Sequence, residues 1–319
     1  MWILWSILGI CAAVMLTAGA MMWKYLKAFR KYDDLAFCSS LSGDMAQYGL
    51  VIHNAVLANR NLDTEILTLR AEDGVTLVAD FYRANVQPRG TVILVHGFRG
   101  AARGDFSCAI SLYHELGWDL LLIDQRAQGR SGGRRMGLGV LEKNDVVTWT
   151  RLVAERAPGK PIILGGISMG ASTVMMACGL PLPQEVRGVI ADCGFTSPYD
   201  IFQWLLRREH LPLILLPVFS LLARPVLGYG LKDCSTVDAL AHSTLPILLI
   251  HGEADRFVPC EMSRRNFESA AAPDKTLITI PGATHGMAYL IQPELCRTAL
   301  MAFIERNGAQ SNNRATVTK

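Results

Sequence analysis

Apolar residues in this 319-residue chain follow three patterns. The first is continuous: no charged side chain interrupts Trp2 to Trp23, and these 22 residues would make a helix of roughly 33 Å at about 1.5 Å per residue. That length matches the hydrocarbon core of a bilayer, so the pattern predicts a transmembrane helix over 1–23. Residues 24–61 are mixed in polarity and read as a connector, helical in part. The second pattern is alternation: Glu65–Leu69 and Val75–Tyr82 flank Glu72-Asp73-Gly74, whose Asp-Gly suits a hairpin turn, so an antiparallel pair is expected. The third is a series of short apolar runs, Thr91–Val95, Asp119–Ile123, Ile162–Leu164, Gly188–Ala191, Ile247–Ile250 and Leu277–Ile280. Helix-length segments separate them. Buried strands alternating with helices mean an α/β domain with a mostly parallel sheet covered on both faces.

More than fifty residues separate the strand ending near Ala191 from the one starting near Pro246, too many for an ordinary connection. An insertion over about 199–228 is expected there. It is apolar, and Pro212 and Pro217 should break it into short helices. Such an insertion can serve as a lid over an apolar pocket; the alternative is a helix pair packed on the sheet or resting on a membrane surface. The domain therefore spans 62–307, with the polar 308–319 expected to be a disordered tail.

Charge orients the anchor. Lys24, Lys27, Arg30 and Lys31 follow the apolar run, and the positive-inside rule keeps that flank and the domain behind it cytoplasmic. A signal peptide cleaved near Ala18-Gly19-Ala20, releasing a secreted domain, is the alternative, although no basic segment precedes the run. A net charge of +3 without a long basic stretch excludes a nucleic-acid partner. Eight scattered cysteines show no metal-ligand spacing, so reduced, packed thiols are expected.

The chemistry sits at strand ends. Gly166-Ile167-Ser168-Met169-Gly170 follows a strand and opens a helix, the strand–turn–helix setting in which a G-x-S-x-G serine is exposed as a nucleophile. A serine hydroxyl needs a base, and the base needs an orienting carboxylate. His285, in Pro281-Gly-Ala-Thr-His-Gly286, follows the last strand; Asp255, in His251-Gly-Glu-Ala-Asp255, follows the one before. Asp192, at the end of the strand before the insertion, is the rival acid. Backbone N–H groups of Met169 and of Phe98, in the loop His96-Gly-Phe-Arg-Gly100, are expected to form the oxyanion hole. His96, His251, Asp145 and Trp149 read as structural. No metal or organic cofactor is implied.

Taken together, His96-Gly97, Asp124–Gly133, Gly166-x-Ser168-x-Gly170, His251–Asp255 and Gly282-Ala-Thr-His285 resemble the α/β-hydrolase superfamily over about 62–307. The closest likeness is to its serine aminopeptidase-like and prolyl-oligopeptidase-like branch, which includes bacterial membrane-anchored forms. The resemblance implies an eight-stranded, mostly parallel sheet and an acyl-enzyme mechanism using Ser168, Asp255 and His285. One departure stands out: Ala127-Gln128 occupies a place where that family usually has Gly-His. The expected function is a membrane-anchored serine hydrolase cleaving a carboxylic ester of a lipophilic or acyl substrate. A serine peptidase or acyltransferase with the same triad is the alternative, and a non-catalytic scaffold keeping the fold is the alternative from another class. Expected partners are a small acyl or ester substrate and, through the N-terminal helix, membrane lipid; the sequence points to no protein partner.

Overall fold

The structure, a computed structural model, describes residues 1–29, 43–84 and 86–308. The expected disordered tail from 309 onward, and 30–42 of the connector, lie outside the described residues. Eight strands form one sheet: β1 (Thr64–Arg70), β2 (Thr76–Tyr82), β3 (Thr91–Val95), β4 (Asp119–Asp124), β5 (Ile162–Ile167), β6 (Val186–Asp192), β7 (Ile247–Gly252) and β8 (Lys275–Ile280). Their order is β1-β2-β4-β3-β5-β6-β7-β8. β2 pairs antiparallel with β1 and β4, and every other pairing is parallel. Gly74 makes the expected hairpin turn at φ +81°.

The helices, in chain order, are α1 (Trp2–Leu26), α2 (Gly49–Ala58), α3 (Ala102–Asp105), α4 (Ser107–Glu115), α5 (Glu142–Arg156), α6 (Met169–Ala177), α7 (Pro198–Arg208), α8 (Leu215–Leu227), α9 (Thr236–Ala241), α10 (Cys260–Ser269), α11 (Ala288–Ile291) and α12 (Pro293–Gly308). One face of the sheet packs against α5 and α6 through Trp149, Val153, Val174 and Met175. The other packs against α4 and α12 through Ile110, Tyr113, Leu300 and Phe303. Strands such as β3 and β4 are buried at every position because both faces are covered, which is why they read as continuous apolar runs rather than alternations.

The uncharged N-terminal run is one helix, but among the described residues no helix is long and apolar enough to cross a membrane. The expected span is therefore not supported. Ala18, Met22 and Leu26 are buried with side chains of α8, so one face of the C-terminal turns of α1 is committed to protein. Trp2, Trp5, Leu8, Ile10, Leu16 and Trp23 are exposed. Beyond α1 the chain docks on the loop after β4, with Phe29 N–H donating to Ala127 O and Ala28 N–H to Arg134 O.

The insertion differs from expectation in where it breaks. Pro212 lies in the break between α7 and α8, but Pro217 sits inside the first turn of α8, where a missing N–H costs no helical hydrogen bond. His210, at φ +54°, turns the chain between the helices.

Two buried charges tie the hairpin to the second layer. Arg126 donates to both oxygens of Asp145 on α5 at 2.6 Å and to Asp73 in the β1–β2 turn at 2.7 Å. The Arg126 and Asp145 side chains are 7 % and 3 % exposed, so removing Asp145 leaves the buried Arg126 with only the exposed Asp73 as its counter-charge. Asp145→Ala should cost about 3–5 kcal/mol and lower the melting temperature by roughly 6–15 °C; a thermal unfolding curve that shifts by less would show the pair to be dispensable.

Candidate active site

Ser168 stands at the end of β5 with φ +55° and ψ −120°, a conformation that L-residues rarely adopt. Two close approaches impose it. A Cβ on Gly166 would strike the backbone of Gly170, and a Cβ on Gly170 would strike the Val95 carbonyl of β3. The glycines thus let α6 fold back onto the sheet, and the sharp reversal brings the serine out at the strand's C-terminal end.

The three separated residues meet there. His285 Nε2 lies 2.9 Å from Ser168 Oγ, and His285 Nδ1 lies 2.6 Å from Asp255 Oδ2. With Nδ1–H donating to the carboxylate, Nε2 is left to accept the serine proton. Asp255 is itself fixed, because its Oδ1 accepts the N–H groups of Phe257 and Val258 at 2.8 and 2.9 Å. Burial favours the neutral acid here, but hydrogen bonds from His251 and His285 outweigh it and hold Asp255 well below the ordinary carboxylate range. The ring of Phe257 covers His285 at a centroid distance of 5.0 Å.

His251 is more than a strand-end histidine. Its Nδ1 pairs with Ser263 Oγ at 2.6 Å, while Nε2 lies 2.9 Å from Val258 O and 3.2 Å from Asp255 Oδ2. Asp255 therefore sits between two imidazoles. His96 is held in the same manner, accepting Gln125 N–H at Nε2 and reaching Gly97 O from Nδ1. Asp192 does not touch His285 Nδ1, which Asp255 occupies.

The loop after β3 is pinned on either side of Phe98. Gly97 N–H donates to Asp105 Oδ2 at 2.7 Å, and Arg99 N–H donates to Gln128 Oε1 at 2.7 Å. Among the described residues the N–H groups of Phe98 and Met169 make no internal hydrogen bond, which suits them to an incoming oxygen. Gln128 gives the departure at Ala127-Gln128 a role: it is fully buried and carries the loop. Ala127 adopts φ +61°, a conformation glycine enters more easily.

A chamber of about 680 Å³ opens at Ser168. Its lining is mostly apolar, with Leu94, Tyr113, Ile190, Ile250 and Leu300 inside and Ile52 of α2 also contributing. The expected lid is corrected here. From α7 and α8 only Arg208 lines the chamber; the rest of the pair packs on α1, Phe98, Met169 and Val258 as a side wall. α2 also reaches the chamber, through Ile52, which clusters with Val56, Tyr48 and Leu290. Sequence reasoning missed Ile52 and Asp105, which belong to no motif, and met Gln128 only as a departure inside Asp124–Gly133, without the loop contact that gives it a role.

Cys193, Asp255 and His285 offer ligand atoms within 4.8 Å of one another. The donor set fits a metal poorly. Burial pushes the Cys193 thiol up, disfavouring the thiolate a metal needs, and the facing atoms of Asp255 and His285 are already bonded together.

Gly170→Ala should prevent the reversal at Ser168 and destabilise the fold by at least about 3 kcal/mol, read as loss of folded protein or a lower denaturation midpoint. Gln128→Ala should free the Phe98 loop and reduce kcat about tenfold or more with little change in KM; an unchanged kcat would remove Gln128 from the loop's support. The stability that ionised Asp255 contributes is complete above the unfolded carboxyl value near 3.9 and is lost as pH falls from there through its lower folded value. The stability gap between wild type and Asp255→Asn in denaturant titrations should therefore be level above about pH 5 and narrow below about pH 4.

A family model described as serine aminopeptidase, S33, matches residues 86–221 and 230–289. Among curated relatives, the uncharacterized protein YqkD of Bacillus subtilis is 28 % identical over 218 residues, covering 67 % of this chain and 71 % of that protein. A monoacylglycerol lipase of Mycolicibacterium smegmatis is 27 % identical over 247 residues, covering 66 % and 86 %. The fold matches that of the Pyrococcus furiosus esterase Pf2001 at a TM-score of 0.63 and 21 % identity, over 78 % of this chain and 92 % of the esterase. The family match, spread over β3 through β8, makes this chain a member of the serine aminopeptidase S33 family of α/β-hydrolases and, by that membership, a hydrolase.

Proposed function

We propose that the protein is a serine hydrolase cleaving carboxylic esters of lipophilic acyl substrates through an acyl-enzyme. The observation that carries this reading is the unbroken hydrogen-bonded series Ser168, His285, Asp255 at the mouth of a largely apolar chamber. Ser168 Oγ attacks the carbonyl carbon as His285 Nε2 takes its proton, and Asp255 stabilises the imidazolium that results. The carbonyl oxygen, now negative, is met by the N–H groups of Phe98 and Met169, the latter at the N-terminus of α6. As the tetrahedral species collapses, the C–O bond to the alcohol breaks and His285 returns the proton to the leaving oxygen. Water repeats the cycle on the acyl-enzyme, releasing the acid and restoring Ser168.

An apolar chamber favours an ester with a hydrocarbon portion, in keeping with the likeness to a monoacylglycerol lipase. The family description favours amide cleavage as a second reading, since the same three residues serve aminopeptidases. A panel of p-nitrophenyl esters and aminoacyl amides separates them: esters should be the better substrates, and hydrolysis of amides alone would reverse the assignment. A fluorophosphonate probe should label the wild type, and Ser168→Ala should abolish labelling and lower kcat by about a millionfold. Folded wild-type protein that resists the probe would contradict the mechanism.

Membrane association is part of the same proposal. Trp2, Trp5, Leu8 and Ile10 expose apolar surface on α1, and Lys24 and Lys27 at its end suit anionic lipid headgroups. The chain should float with phospholipid vesicles in a density gradient, and Leu8→Glu with Ile10→Glu should leave it at the bottom; flotation unaffected by both charges would refute the role of α1.

A further inference from the structure

His251 is a buried imidazole that the mechanism has not yet used. It stands near the C-terminal end of β7, four residues before Asp255, with none of its side chain exposed. A carbonyl only accepts hydrogen bonds, so the Nε2 that lies 2.9 Å from Val258 O carries the ring hydrogen. Across the ring, Nδ1 lies 2.6 Å from Ser263 Oγ on α10. Ser263 is itself fully buried, and among the described residues its hydroxyl makes no other hydrogen bond. It therefore donates to Nδ1, which leaves Nε2 as the donor and fixes the tautomer.

That donor has a second acceptor. His251 Nε2 lies 3.2 Å from Asp255 Oδ2, the oxygen that also accepts from His285 Nδ1 at 2.6 Å. Oδ1 accepts the N–H groups of Phe257 and Val258, so each oxygen has two donors, which fills the roughly four lone-pair sites of a carboxylate. Val258 joins the two sides: its N–H holds Oδ1, and its carbonyl holds the imidazole that reaches Oδ2. Burial opposes the Asp255 anion, and the hydrogen bond from His251 is foremost among the contacts that counter it. A purely structural histidine would need only Ser263 and Val258; the third contact is to the reacting series.

We infer that His251 is a positioning residue for hydrolysis: locked in one tautomer by Ser263, it donates to Asp255 Oδ2 and so keeps the carboxylate aimed at His285 Nδ1. This role deepens the serine-hydrolase reading and rests on it for the reaction. The imidazolium formed when Ser168 gives up its proton is stabilised only while the carboxylate stays ionised and in line with Nδ1. A displacement of about 1 Å at such a contact can cost about a hundredfold in rate. The hydrogen-bonded series thus runs from Ser168 through His285, Asp255 and His251 to Ser263, and of its two imidazoles only His285 moves a proton.

Three full-length variants separate the donor from the ring. His251→Phe keeps a ring and removes the donor; His251→Asn places an amide near the Nδ1 position, within reach of Ser263 but short of Asp255; His251→Gln carries its amide to about the Nε2 position. With a p-nitrophenyl ester, kcat should fall about tenfold or more in His251→Phe and His251→Asn with little change in KM, and should be partly restored in His251→Gln. A second readout needs no turnover. The proton between His285 Nδ1 and Asp255, deshielded in so short a bond, gives a low-field 1H resonance, assigned by its loss in Asp255→Asn. It should shift or broaden in His251→Phe and His251→Asn and return toward its wild-type position in His251→Gln. If His251→Phe does not fold, His251→Asn carries both readouts. Wild-type kcat with an unmoved resonance in either folded variant, or a His251→Gln protein as impaired as His251→Phe, would overturn the assignment. Fluorophosphonate labelling of wild type judges the hydrolase reading separately: labelling with turnover insensitive to His251 sinks only the positioning role, whereas a wild type that resists the probe sinks the mechanism while the resonance still tests the bond from His251.

Discussion

The turn at Ser168 is the constraint around which the rest of the site is arranged. A strand must give way to a helix within a residue, and the helix must fold back so closely that the backbone of Gly170 rests on the carbonyl end of β3. Only glycine permits that approach at 166 and 170. The same approach does two things at once: it packs α6 into the core and raises the serine into a left-handed conformation. Packing and chemistry are here one geometric fact, so the strain at Ser168 is held by the core rather than by the site.

Around that turn the polar groups are held by both neighbouring and distant parts of the chain. Asp255 is oriented by Phe257 and Val258 backbone groups and shared between His251 and His285. The loop bearing Phe98 is stretched between Asp105 on one side and Gln128 on the other. Each attachment reduces the motion of a group that must be in place before charge develops, which is where preorganisation has its effect.

Much of this was legible in the sequence because it depends on local chemistry. Six strands are marked by apolar runs with helical intervals and two by alternation around a turn, and the serine motif, the late aspartate and the late histidine each lie where a strand ends. The resemblance to α/β-hydrolases rests on the same residues, and the family match agrees with it. What was misread concerns long-range contact. The insertion was expected over the pocket, yet its apolar faces are absorbed by α1 and by Phe98, Met169 and Val258. The N-terminal run was read from its length, its lack of charge and its basic flank, none of which reveals that Ala18, Met22 and Leu26 face another helix.

The sequence by itself determined the sheet, the sharp turn at Ser168 and the residue types needed for acid–base work, since periodicity, glycine and strand ends are properties of adjacent residues. Tertiary structure alone decided where the insertion packs and that Gln128, Asp105 and Ile52 stand around the chamber. Those choices rest on contacts such as Asp255 with His285 and Arg99 with Gln128, 30 and 29 positions apart. A chain encodes such contacts only through the packing of the whole fold.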